Sequence, residues 1–321
     1  MKNRIFRIFS TLIIVTVLLS ACSGTQPAVK TPLRVAWTLW PGYYPILIAL
    51  ENGYFTKHGV FVELIQYDNY QAVYPDITSG NIDGAVSGLY DLIVPASQTP
   101  LKFVMITDNS NGAEGLVATA DIQTAADLKN KRIGISLGSI GEFFAVNFLR
   151  QNGLTSADVE FLNVPAESAP GQIPDQIDAG YTWEPYLSQA TANNNHILAS
   201  TADFPGLMPS VVAFQAKLVE QRPEDIRGFV AAWFEAVDWW QANPAEGNAL
   251  IAKATGLKPE EISIEGVKIF DLAANLSAFE QGIDTTSIYF TAQQHQQFLV
   301  ESGLITKPVD MNVLLDPSFL K

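Results

Sequence analysis

Short apolar runs alternate with one-sided apolar segments of about ten residues, and the alternation starts twice, a pattern that predicts helix-covered parallel sheets. Leu33-Arg34-Val35-Ala36-Trp37 reads as a strand bounded by Pro41-Gly42. Residues 44–52 are apolar on one face and stop at Gly53, as a helix does. A second strand spans 60–66, with Asn69 as a cap for a helix over 71–79 that ends at Gly80. A buried strand over 82–87, a helix over 91–97 and a strand over 101–107 complete the first series. The second series has strands over 132–136, 159–164 and 179–183, with helices over 141–152 and 171–178. Beyond it the pattern is mostly helical, over 229–243, 246–255, 260–267 and 291–301. A hydrophobic content of 48% easily supports a core.

Two α/β halves and a helical tail fit a two-lobed α/β protein with a cleft. Ligands of open α/β sheets bind beyond the carboxyl ends of the strands. Aromatic and small hydrogen-bonding residues gather at those positions. Trp40, Tyr43, Tyr70, Tyr90, Asp91, Asn111 and Glu114 follow strands of the first half. Ser136, Ser139, Trp183, Glu184 and Tyr186 follow strands of the second. Rings supply flat apolar area, and polar groups set orientation. Trp40 and Tyr43 flank Pro41-Gly42 with no helical period, so packing does not explain them. Trp233, Trp239 and Trp240 lie on a regular helical pattern and are assigned to packing.

The N-terminus has Lys2, Arg4 and Arg7, an apolar run over 8–19, and Leu19-Ser20-Ala21-Cys22. These are marks of an export signal, too short to span a bilayer. Cys22 is the one cysteine in the chain. The segment resembles a bacterial lipobox, which implies lipidation of Cys22 after removal of residues 1–21. An ordinary secreted chain with a chance cysteine is the plainer alternative. Residues 22–32 read as a flexible polar linker. Removing three of 19 basic residues leaves 16 against 33 acidic ones, a net charge of −17. That surface repels nucleic acid.

Gly134-Ile135-Ser136-Leu137-Gly138 has the spacing of a nucleophile elbow between strand and helix. A hydrolase would use Ser136, with His196 or His295 as base and Glu184 or Asp203 as its partner. No oxyanion segment of the His-Gly-Gly type accompanies it. Ser136, Gly138 and Ser139 fit better as donors to an anion at a helix N-terminus. His58, His196 and His295 are scattered, so no metal site is expected and each histidine is placed at the surface.

Several stretches resemble a known family: residues 37–55, 79–85, 109–114, 128–134 and above all Ile177-Asp178-Ala179-Gly180-Tyr181-Thr182-Trp183-Glu184-Pro185-Tyr186. The chain resembles the substrate-binding proteins of ABC importers for nitrate, sulfonates, taurine and thiamine-precursor pyrimidines. The resemblance implies a two-lobed periplasmic-binding-protein type II fold with two crossing hinge segments, near 110–116 and 203–210. Lobe 1 would be 33–112 with 208–321, and lobe 2 would be 113–207. It implies an exported, lipid-anchored monomer that is not an enzyme and has no cofactor. Its partners would be one small molecule and the permease and ATPase subunits. Fungal pyrimidine synthases share the fold but carry a cysteine cluster that this chain lacks.

No Arg or Lys falls in the proposed cleft loops, whereas Asp91, Glu114 and Glu184 do. Rings with acidic acceptors suit a flat nitrogen heterocycle with N–H donors, such as a pyrimidine thiamine precursor or a riboflavin-like ring. Sulfonate, taurine or nitrate is the second expectation.

Overall fold

The computed structural model describes residues 30–192 and 194–321. The expected signal and lipidated Cys22 lie outside the described residues. Residues 32–321 form one compact unit, and no helix among the described residues is long and apolar enough to cross a membrane.

Two sheets organise this unit. The first contains β1 (Leu33–Trp37), β2 (Val62–Gln66), β3 (Gly84–Gly88) and β4 (Leu101–Ser110). The second contains β5 (Glu114–Ala118), β6 (Arg132–Ile135), β7 (Glu160–Asn163), β8 (Ala179–Trp183) and β9 (His196–Ser200). The chain then returns to the first sheet with β10 (Pro209–Gln215) and β11 (Val267–Ile269). The strand orders are β11-β4-β10-β3-β1-β2 and β7-β6-β8-β5-β9.

The parallel expectation holds for β2-β1-β3 and β7-β6-β8. It fails for β5 and β10, each of which is antiparallel to both neighbours. The reason is connectivity. Each is the first strand after the chain passes from one sheet to the other, so it enters from the opposite end. No α-helix directly precedes either strand, and the alternating pattern therefore misses β5 and β10; it also misses β9, which follows the helix Tyr186–Thr191.

Two expected helices are absent. Over 171–178 the chain makes a 3-10 turn, Ala166–Gly171, followed by loose turns, because Pro170 and Pro174 remove backbone donors. Over 260–267 it makes a short 3-10 turn, Pro259–Glu261, and then β11, with Gly266 at φ 72° breaking any helix.

The parallel triplets share a staple. The Arg34 backbone N–H and Nε both donate to Asp83 Oδ2 (2.9 and 3.1 Å), and its Nη2 donates to Oδ1 (2.8 Å). Arg132 does the same to Asp178, at 2.8, 3.2 and 2.9 Å. In each triplet, an arginine at the start of the middle strand is thereby tied to the residues leading into a neighbouring strand.

The helix Pro223–Ala242 lies against the first sheet. Phe229 stacks on Phe55 at 5.2 Å and meets Phe214 edge-on at 5.2 Å. Trp233 is fully buried, Trp240 is buried, and Trp239 is half-buried at the edge of the core. These placements match packing roles.

Candidate functional site

The carboxyl ends of β1, β3, β6 and β8 face a partly open cavity. It offers about 50 Å³ to the centre of a water molecule. Its wall includes Thr38 and Trp40 after β1, Tyr70 after β2, and Ser87 and Gly88 at the end of β3. From the second sheet come Glu114, Ile140 and Trp183, and from the return segment Met208, Pro209 and Ser210.

The aromatic walls are fixed by partners. Trp40 Nε1 donates to Asp108 Oδ1 (3.0 Å), and the Trp40 and Tyr43 rings meet edge-on at 6.5 Å. The Tyr43 hydroxyl donates to Ser210 Oγ (3.2 Å). Gly42 is required here, because a β-carbon would collide with the Asp108 carboxyl. Tyr70, beyond β2, meets Trp183, at the end of β8, edge-on at 5.2 Å.

Three carboxyls surround this space. Asp91, in the first turn of the helix Leu89–Ala96, accepts from the Ile140 N–H (3.1 Å). The Tyr74 hydroxyl lies near enough to stabilise its charge without forming a hydrogen bond of ordinary geometry. Desolvation dominates and pushes Asp91 up to about 7. Glu114 opens β5 opposite Trp183 and accepts from the Tyr181 hydroxyl. The surface Glu114 leaves open faces the cavity, so its surroundings are protein; burial pushes it up to about 8. Asp108 stands behind Trp40 and accepts from Thr107 Oγ1 (2.7 Å); burial pushes it up to about 6. Among the described residues, no Lys or Arg lines the cavity.

Of the expected residues, the structure brings Trp40, Tyr43, Tyr70, Asp91, Glu114 and Trp183 together around this space. The other six lie outside the cavity wall, although Ser136 and Ser139 reach the Tyr70 hydroxyl behind it. Tyr90 turns away into the core, against Phe143, His295 and Phe298. Asn111 and Glu184 line a separate outer groove, and Glu184 accepts from the Ser188 N–H and hydroxyl (3.2 and 2.8 Å). Tyr186 backs Trp183 at 6.4 Å. Ser136 Oγ donates to the Val164 carbonyl at 3.4 Å, with neither His196 nor His295 as its partner. Ser139 caps the helix Ile140–Gln151 and donates to the Ser136 carbonyl (2.6 Å).

The expected anion site at that helix N-terminus is already filled from within the chain. Asp91 takes the Ile140 N–H, Ser139 the Gly141 N–H, and Glu142 the Gly138 N–H (2.6 Å). His295 also departs from expectation. It is fully buried, its Nε2 lies 2.8 Å from the Leu207 carbonyl, and burial lowers its pKa to about 4. Asp108, Ile140, Met208 and Ser210 escape the sequence reading of the site. The polar run Thr107-Asp108-Asn109-Ser110 at the end of an apolar strand was the available signal for Asp108.

Residues 40–247 match the family model described as NMT1/THI5 like. The chain belongs to the NMT1/THI5-like family. One relative of this NMT1/THI5-like protein is a Haemophilus influenzae protein named for thiamine biosynthesis, 28% identical over 292 residues (87% of this chain, 88% of that one). Another is the riboflavin-binding protein RibY of Chloroflexus aurantiacus, 23% identical over 354 residues (98% and 97%). The crystal structure of the periplasmic aliphatic sulphonate binding protein SsuA from Escherichia coli aligns with a TM-score of 0.72 at 20% identity, covering 88% of this chain and 96% of SsuA. The fold is the periplasmic-binding-protein type II fold.

Proposed function

We propose that this protein is the solute-binding component of an ABC importer, without enzymatic activity, and that its solute is a single-ring nitrogen heterocycle with N–H donors. One observation carries the choice of ligand: Asp91 and Glu114 face an aromatic cavity that no lysine or arginine lines among the described residues. Carboxyl groups accept from ring N–H and amino groups, and charged hydrogen bonds are the strong ones. A sulfonate or nitrate would find no cation among the described residues lining the cavity, with the nearby helix N–H groups already taken. The cavity holds the centres of about four water molecules at roughly 10–15 Å³ each. That favours a pyrimidine over a three-ring flavin. The relative named for thiamine biosynthesis is in keeping with this choice, whereas RibY is named for riboflavin and SsuA for aliphatic sulphonate.

The two sheets support lobes of 33–112 with 208–321 and of 113–207, closing on the ligand. Lipid on Cys22 would hold the protein at the membrane facing outward, and delivery would be to a permease. Membrane fractionation checks the anchor: Cys22→Ser should leave the membrane fraction. A thermal-shift screen against aminopyrimidines, flavins, sulfonates, taurine and nitrate tests the ligand class. An aminopyrimidine should raise the melting temperature, as any ligand of the folded state does. A shift with a sulfonate and none with pyrimidines would overturn the heterocycle reading.

A further inference from the structure

Asp91 belongs to an element of the first sheet and Glu114 opens a strand of the second. The two carboxyls face one cavity; burial dominates at both, and the Asp91 charge adds a small upward push on Glu114 behind that of Asp108. Asp91 also bonds across to Ile140, at the start of a helix that follows β6 of the second sheet. Bringing the two sheets together therefore brings two acids together and removes them from water.

We propose that repulsion and desolvation of Asp91 and Glu114 hold the empty cleft open at neutral pH, and that an organic base closes it by supplying a cation or N–H donors to both. This deepens the proposed function and rests on it for the ligand class. The pair would act both as selectivity filter and as closing switch. A neutral ring of the same shape would leave the cost of closure in place, and an anion would add to it. Only a differential interaction with the two states can shift such an equilibrium.

The surrounding groups leave this assignment intact. Asp91 is faced by Tyr70 and Tyr74, with Tyr90 on its own helix. Glu142 sits at the capped helix end. Glu114 is faced by Tyr181, Ser110, Tyr43 and Asp108. Glu167 acts on Tyr70 from the second sheet. All the tyrosines are held neutral by burial, and no cation among the described residues lines the cavity.

The sign of the pH effect follows. Burial raises both acids, to about 7 and about 8, so closure takes up protons and acid favours the closed form. His295 works in the opposite sense, because burial holds it neutral. It is common to wild type and variant, so a difference between them isolates the pair.

The test needs no ligand. The full chain with Cys22→Ser is labelled at Asn152→Cys and Glu224→Cys, both exposed positions, and the closed fraction is read by single-molecule energy transfer. At pH 7.5 the Asp91→Asn/Glu114→Gln protein should show a closed-to-open ratio about tenfold or more above wild type, the equivalent of one pKa unit. The gap should shrink towards nothing near pH 5. Equal ratios at pH 7.5, or a gap that persists in acid, would overturn the proposal. Because no ligand is added, either result is independent of whether the heterocycle reading holds.

Discussion

At the residue scale, the indole of Trp40 is held by a carboxylate rather than by packing alone. Its edge donates to Asp108, which also receives Thr107, while Gly42 leaves the space that the carboxyl fills. Trp40→Ala should weaken binding by about 1–3 kcal/mol, the scale of one large buried side chain. Glu114→Gln should cost about 1.5–3 kcal/mol through a lost charged hydrogen bond. Calorimetry with the aminopyrimidine found by the screen measures both, and wild-type affinity in either removes that residue from the ligand's surroundings. The aromatic half of this site was legible because Trp40 and Tyr43 sit in a turn without a helical period. Tyr90 was misread because successive helical residues turn by about 100°, so Asp91 meets the cavity while its neighbour Tyr90 meets the core. His295 was misread because isolated polar residues carry no burial signal when a single backbone carbonyl, here Leu207, satisfies them.

At the element scale, β4 has an unusual neighbour. Asn275, on the helix Leu272–Ala278, accepts from the Ile106 N–H (2.7 Å) and donates to the Ile106 carbonyl (2.9 Å). The side chain stands in for a strand where β11 stops, since β11 pairs only with Asp108 to Ser110. Two residues on, the same strand presents Asp108. Asn275→Ala should leave two buried backbone groups unpaired, at about 1–3 kcal/mol each. Urea denaturation measures the loss, and unchanged stability would show that the clamp is dispensable. Elements with a simple period were legible: β1, β6, β8 and the helix Ile140–Gln151 fall close to where the pattern puts them. The two strands entered by a sheet crossing were not, because their direction depends on a partner sheet distant in sequence.

At the scale of the whole molecule, the buried acids invert the usual pH profile. Asp91, Asp108 and Glu114 have raised pKa values of about 7, 6 and 8. The stability they contribute is full below their unfolded values and is lost as pH rises through the folded ones. Asp83 and Asp178 are lowered, net, chiefly by hydrogen bonding to Arg34 and Arg132, although burial opposes this. Their contribution is present above the ordinary carboxylate range and lost below it. His295, lowered by burial, also costs stability as pH falls from its ordinary value towards about 4. Melting of the unliganded protein should therefore peak at about pH 4–5, just above the ordinary carboxylate range, and fall towards pH 8. Calorimetric scans across that range check it, and a maximum at pH 8 would remove the buried acids as the controlling groups.

The two stretches that pass between the sheets are laced together. The Ser110 N–H donates to the Met208 carbonyl (3.0 Å), its hydroxyl meets Thr201 Oγ1 (2.8 Å), and the Gly112 N–H reaches the same Thr201 oxygen (2.8 Å). Two independent tethers would let one half twist, slide and tilt against the other. Two tethers stitched side by side act as a single pin, leaving rotation about one axis as the soft motion. Met208 and Ser210 on that pin also line the cavity. Under the proposed function, a solute resting there would sit at the fulcrum, where a small displacement would be magnified at the outer rim.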